Sequence, residues 1–354
     1  MKKAIIAERL LRQHLSIPIS NPEDYIELFR LLQPVSPIFF SYPGSPPRLV
    51  HRTAFDDSKV ADRMREDRAI VKGRFLGGNI GYVLSDDLEI YANAFCRQIP
   101  LISDIQQRIF DTIRYTGPLT PRQIKEETGL LNKQIAPALS RLQEAFLVYE
   151  DQPDDNWARG WYEFATEWRE VCIDESKKER AISQVLLNFL QGHVFATMEQ
   201  IKDWSQLSSK LLTAVINDME KNRKIVSRLI EGLGEGWMLP QDISGREVKP
   251  SVFMLHRSDF LARSHASELK RRFGDYEVLQ YLLIDGEFKG AVVGHWRIGP
   301  YDVDDIILEL PHAERAQRRD EIIRAVSWYY KKPDNPILKY DGKEIEKETK
   351  LKAF

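Results

Sequence analysis

The stretch Leu31-Leu32-Gln33-Pro34-Val35-Ser36-Pro37 sets one carboxamide at the end of an amphipathic run, directly before a proline. Core packing does not ask for an amide there. Gln33 is therefore either a catalytic group or a polar cap that satisfies a backbone carbonyl where Pro34 terminates a helix. Ser36, His51, Asp56 and Asp57 are the neighbours in sequence that could supply a second polar group. A different constellation, Gly294-His295-Trp296-Arg297, falls in an alternating segment. On a hairpin entering a minor groove, Arg297 would read groove width while His295 or Trp296 probed the base stack. The bland alternative makes Trp296 a core aromatic and Arg297 its solvent-facing neighbour.

Other chemistries lack their residues. No GxSxG, HExxH or GxxxxGK[ST] is present, and Gly77-Gly78 reads as a turn. The seven histidines are scattered, and Cys96 and Cys172 form no CxxC pair, so no metal, disulfide or cofactor is expected. Two cysteines without a framework fit a reducing cytoplasm. Hydrophobic residues at 43% and charged residues at 29% describe an ordinary globular chain, and 354 residues suffice for several domains. No apolar run reaches the roughly 18 residues of a bilayer span, and MKKAIIAERLLRQHL is too polar for a secretory signal and reads as a retained helix. The net charge of −2 argues against indiscriminate nucleic-acid binding but allows a basic face balanced by acidic surfaces elsewhere.

An approximate repeat organises the middle of the chain. Aligning Gln123-Ile124-Lys125 with Gln200-Ile201-Lys202 brings Ile135, Leu139 and Leu142 over Leu212, Ile216 and Met219, a stripe one helix face can bury. In the first copy Thr120 caps a helix that begins at Pro121 and closes at Gly129, and Asn132 caps the next. Phe146 to Glu150 and Trp161 to Ala165 then form a hairpin around the turn-forming residues 151–160. In the second copy KIVSRLI and GWMLP form a more compact hairpin. Each copy is thus a helix-turn-helix with a wing. The N-terminal segment reads as a third unit: helices over Ala4 to Leu15, Pro22 to Gln33 and Ser58 to Asp67, then a hairpin about Gly77-Gly78. Its intervening loop carries Phe39, Phe40 and Tyr42, which either pack down or bind something.

From Val252 the pattern alternates, with apolar runs around the hairpin signal Asp285-Gly286, a further strand in DDIILELP and a helix over Ala313 to Tyr330. The expected class is α+β, with three tandem winged-helix units (1–98, 99–172, 173–245), a C-terminal antiparallel hairpin and helix region (246–330) and a loosely held charged tail (331–354). Tandem winged helices suit double-stranded DNA, because a helix fits the major groove. The candidate contacts are Asn132, Lys133, Gln134 and Arg141 on one recognition helix, and Ser208, Ser209 and Lys210 on the other. Lys72 and Arg74 in the N-terminal hairpin and the His295 to Arg297 segment complete the set.

In order and spacing, AERLLRQHL with ELFRLLQPVS, VADRMREDRAIVKGRFLGGNIGYVLSDDL, GPLTPRQIKEETGL, WYEFATEW and YLLIDGEFKGAVVGHWR resemble the winged-helix DNA glycosylases of the AlkZ and YcaQ type across most of residues 4–330. The resemblance implies three winged helices around a concave DNA-binding face. It also implies excision of alkylated bases, or unhooking of interstrand crosslinks, by hydrolysis of the N-glycosidic bond. In that family a Gln-x-Gln or Gln-x-Asp motif near the end of the second helix positions water and stabilises oxocarbenium character. Gln33 matches its first position and Val35 replaces its second. The family pattern also resembles a His and a Pro where this chain has Gly81 and Leu84. Three functions follow as expectations: a glycosylase acting through Gln33, a non-catalytic reader of distorted DNA or regulator of transcription, and a protein-docking scaffold.

Overall fold

Three times in residues 1–244 the chain runs from a helix through a short bridge and further helix to a β-hairpin. In the computed structural model, which describes residues 1–37, 47–151, 160–241, 243, 247–295, 303–330 and 336–345, a second compact unit spans 245–354. Helix α1 (Lys2–Arg12) precedes the repeats. The first repeat holds α2 (Tyr25–Leu32), α3 (Ser58–Glu66), β1 (Ile70–Phe75) and β2 (Asn79–Leu84), followed by α4 (Leu88–Phe95). Periodicity does not announce α4, because it is two turns long, most of its residues are buried and only Glu89 and Asn93 are polar. The second repeat holds α5 (Asp104–Thr116), α6 (Pro121–Thr128), α7 (Asn132–Glu144), β3 (Val148–Asp151), β4 (Gly160–Glu163) and the single turn α8 (Phe164–Glu167). The third holds α9 (Lys178–His193), β5 (Phe195–Ala196), α10 (Met198–Ser205), α11 (Ser209–Lys221), β6 (Val226–Ile230) and β7 (Gly234–Met238).

The shared Gln-Ile-Lys has a local cause. Thr120 and Thr197 each accept the backbone N–H of the glutamine three residues on, and each glutamine carboxamide accepts the threonine N–H in return. The following Ile124 and Ile201 are buried, and so are all six residues of the aligned stripes on α7 and α11. Each repeat closes in the same way: Val35 bridges Tyr82 of β2, Leu119 bridges Trp161 of β4, and Ala196 pairs with Trp237 of β7. Three details differ from expectation. Asn132 is the first helical residue of α7, and the Leu131 N–H is taken by Gln134. The return strand of the second repeat stops at Glu163, and β5 makes the third sheet three-stranded.

Helix α1 is held by the carbonyls that the end of α9 leaves unpaired. Arg12 donates to Gln191 O at 3.0 Å, Gln13 to Gly192 O at 3.0 Å, and Arg9 to His193 O at 2.8 Å and Phe195 O at 3.0 Å. Two of these donors are cations at a helix C-terminus, where the dipole favours them. Arg9 is buried, and burial pulls its guanidinium down to about 10.

In the second unit β8 (Val252–Leu255), α12 (Phe260–Ser264), α13 (Ala266–Phe273), β9 (Val278–Ile284), β10 (Glu287–Gly294) and β11 (Val303–Leu308) build an antiparallel sheet in the order β11-β10-β9-β8, larger than the expected hairpin with one added strand. Asp285 and Gly286, both at positive φ, make the β9–β10 turn. The expected single C-terminal helix is broken into α14 (His312–Gln317) and α15 (Arg319–Ser327). Arg318 sits at the break and donates to Asp285 at 2.6 Å, Glu321 at 2.9 Å and Ser251 O at 3.3 Å. Part of the expected loose tail is likewise fixed: β12 (Lys339–Tyr340) and β13 (Lys343–Glu344) form a hairpin in which Tyr340 is buried and its hydroxyl donates to Arg315 O. Among the described residues, no helix is long and apolar enough to cross a membrane.

Replacing Arg9 by Met keeps the apolar stem but removes the guanidinium donors from the His193 and Phe195 carbonyls. It should lower the stability of residues 1–244 by about 2 kcal/mol, read as a lower urea midpoint with unchanged slope.

Candidate functional site

Gln33 is where α2 ends. Its N–H still donates to Phe29 O at 2.9 Å, but its ψ of 150° takes the chain out of the helix ahead of Pro34. Two residues on, Val35 N–H donates to Tyr82 O at 2.9 Å and Tyr82 N–H to Val35 O at 2.8 Å, which fastens the segment to β2. The Gln33 side chain is pinned between these elements and only 1% exposed. Its Oε1 accepts the Leu84 N–H at 2.9 Å, and its Nε2 donates to Asp87 Oδ2 at 2.7 Å. A backbone donor on one side and a carboxylate on the other fix which way the amide points. The Gln33 carbonyl accepts the Tyr91 hydroxyl at 3.4 Å, and burial pushes that phenol well above its ordinary range, so it remains a neutral donor.

The partner of the Gln33 amide nitrogen is thus Asp87, a residue outside the set proposed from sequence proximity. Asp56 and Asp57 hold Arg48 instead, and Asp57 also accepts the Tyr25 hydroxyl and the Leu49 N–H. Asp87 Oδ2 is shared with Arg30 Nε at 3.2 Å, and its side chain is 19% exposed. The sequence signal for Asp87 was the acidic pair Asp86-Asp87 opening a helix, where carboxylates are ordinarily read as caps.

The departures at Gly81 and Leu84 meet this segment directly. A Cβ on Gly81 would stand 3.1 Å from Pro34 Cβ and 3.7 Å from the Phe75 ring, so a side chain there would press on the Gln-Pro-Val segment. Leu84 has φ −64°, the value a proline ring imposes, yet a proline would lack the N–H that Gln33 accepts. Val35 adds only buried hydrocarbon. Each end of the Gln33 amide is thus engaged once, on a residue with almost no exposure.

The expected DNA contacts divide into two groups. Asn132 and Lys133 are exposed in the first turn of α7, and Ser209 and Lys210 are exposed in the first turn of α11, with Ser208 as its N-cap. The other cations are engaged inside the protein. Lys72 lies 3.2 Å from the buried Glu150, Arg74 donates to Gln143 and Gly78 O, and Arg141 donates to the carbonyls of Arg97 and Gln98. The Gln134 carboxamide oxygen serves the helix start. In the second unit, His295 lies 2.9 Å from Glu277 and 3.5 Å from Asp304. Phe39, Phe40, Tyr42, Trp296 and Arg297 lie outside the described residues. Among the described residues, no group of three or more His, Cys, Asp or Glu side chains is placed to hold a metal.

The fold is mixed in α and β. It is similar to a solved structure, the Streptomyces sahachiroi DNA glycosylase AlkZ, with a TM-score of 0.69 at 13% identity, covering 96% of this chain and 99% of that one. The sequence matches the DNA glycosylase AlkZ-like family over residues 48–319, and the chain belongs to that family. The matched region begins after Gln33. No curated protein matches the sequence.

Gln33→Ala leaves the Leu84 N–H buried without an acceptor and should cost about 2 kcal/mol of stability, far more than truncation of a solvent-poised side chain. Leu84→Pro suits the backbone but removes the same hydrogen bond. In a double-mutant cycle the pair should therefore be less destabilised than the sum of the single variants by about 1 kcal/mol.

Proposed function

We propose that this chain is a double-stranded-DNA-binding member of the AlkZ-like family in which Gln33 holds the N-terminal repeat together and does not hydrolyse the N-glycosidic bond. The observation that carries this reading is the Gln33 amide, 1% exposed and bonded at both ends to Leu84 N–H and Asp87. An amide that positions water must present a donor or acceptor to it, and here one donor and one acceptor are committed within the protein and the residue is almost fully buried. In this reading the three repeats are tandem winged helices, with α7 and α11 as the helices that approach the groove. Their equivalent first turns offer Asn132 and Lys133, and Ser209 and Lys210, to phosphates and base edges, while the opposite stripes fill the cores.

The family's glycosylase activity on alkylated or crosslinked DNA is the second reading. It is favoured by Asp87, a partly exposed carboxylate 2.7 Å from the Gln33 amide that would serve in place of the side chain absent at Val35. One experiment separates the two. A duplex carrying N7-methylguanine is incubated with the wild type and Gln33→Ala, abasic sites are scored as alkali-labile breaks, and binding is followed by fluorescence anisotropy. The expected result is duplex binding without excision, with Lys133→Glu and Lys210→Glu each making the log–log salt dependence shallower by about one. Excision by the wild type that disappears in a Gln33→Ala variant which still folds and binds the duplex would overturn the non-catalytic reading.

A further inference from the structure

Between α4 and α9 lies a cavity of about 580 Å³ whose lining includes three cations, Lys177, Arg180 and Lys224, and one carboxylate, Glu89. Glu89 is committed: it accepts Lys177 Nζ at 2.8 Å and the Cys172 N–H at 3.4 Å. Among the described lining residues, no further carboxylate stands beside Arg180 or Lys224, in a protein whose net charge is −2. Lys224 Nζ reaches the largely buried Ser183 hydroxyl at 3.5 Å, and Ile90 and Ala181 supply an apolar patch in the lining.

These groups converge from separate elements. Lys177, Arg180 and Gln184 recur at three- and four-residue spacing along one face leading into α9, whereas Lys224 arrives from the turn after α11. We propose that this cavity binds a phosphate ester. An arginine fork matches two phosphate oxygens, a lysine adds a point charge, and the hydroxyl and carboxamide are neutral donors, while Ile90 and Ala181 suit the sugar or base attached to the phosphate. Uncompensated cations around a concavity favour an anion whose counterions are released on binding.

A chain of hydrogen bonds links the cavity lining to the Gln33 segment. Gln184 Nε2 lies 3.5 Å from Asn188 Oδ1, Asn188 hydrogen-bonds Tyr91, and the Tyr91 hydroxyl reaches Gln33 O at 3.4 Å. A nucleic-acid phosphate seated here would run beside the first repeat. Only this choice of source rests on the DNA-binding reading, since a free phosphorylated metabolite has the same chemistry.

The test compares the full-length wild type with the double variant Arg180→Gln/Lys224→Gln, both exposed positions. Isothermal titration uses inorganic phosphate and the 5′-phosphorylated dinucleotide pdTpdT, and anisotropy follows an undamaged duplex from low to high salt. Thermal unfolding checks that both proteins fold alike. At least a tenfold loss of pdTpdT or phosphate affinity in the variant supports the site. So does a duplex salt dependence shallower by about two, which identifies the source as a DNA backbone. Small-ligand binding that the variant weakens, with no duplex binding by the wild type, supports the site and defeats the DNA reading. Duplex binding with the same affinity and salt dependence in both proteins, and no difference in phosphate or pdTpdT binding, overturns the site and leaves the DNA reading standing.

Discussion

Every repeat in residues 1–244 depends on one backbone constraint: the residue that leaves its first helix must exchange hydrogen bonds with the return strand of its own hairpin. Val35 does so with Tyr82, Leu119 with Trp161 and Ala196 with Trp237. The exchange satisfies polar groups that the helix end would otherwise bury unpaired, and it sets where the hairpin lies against the helices. In the first repeat the constraint reaches further, because Gln33, two residues before the bridge, carries a carboxamide. Gln33 is carried into contact with β2 by the Val35–Tyr82 pair, and its side chain completes what the backbone pair begins, joining Leu84 to Asp87. A catalytic candidate of the sequence is thereby tied to the end of β2 and to Asp87.

The same economy governs the charges near the first hairpin. Phe75, fully buried, packs edge-on against Tyr91 and Phe95 and tilted against Phe146, tying the first repeat to the second. At the hairpin tip Gly77 and Gly78 adopt positive φ, and a Cβ on either would meet Gln206 of the third repeat or Glu144 of the second at under 3 Å. Glycine is needed there for close approach as well as for the turn. Packed this way, the hairpin turns Lys72 and Arg74 toward Glu150 and Gln143. Two cations offered by the sequence as DNA contacts thus become internal ties, while exposed positive charge remains at Lys133 and Lys210 and around the α4–α9 cavity.

Much of the architecture was legible because its causes are local. The Thr-Pro-x-Gln start and glycine stop of α6, the buried stripes of α7 and α11, the Asp285-Gly286 turn and the order of elements in both central repeats are set by residues within a turn or two of each other. The exceptions also have physical reasons. Helix α4 is apolar on nearly every side, and β5 is two residues long, so neither carries a periodic signal. The single helix read over Ala313 to Tyr330 breaks at Arg318, whose guanidinium reaches Asp285 and Ser251 O, more than thirty residues upstream.

The candidate site divides along the same line. By itself the sequence determined that an amide stands at a helix end before a proline, that a valine follows where a second polar group would be needed, and that two helices begin with exposed polar turns. Which group meets the Gln33 amide was decided only in the folded chain, since Asp87 and Leu84 lie 54 and 51 residues away. Helix caps and periodic faces depend on neighbours the chain cannot avoid having. The partner of a buried amide depends on which strand is zipped against its helix, and that long-range pairing has no local signature to read.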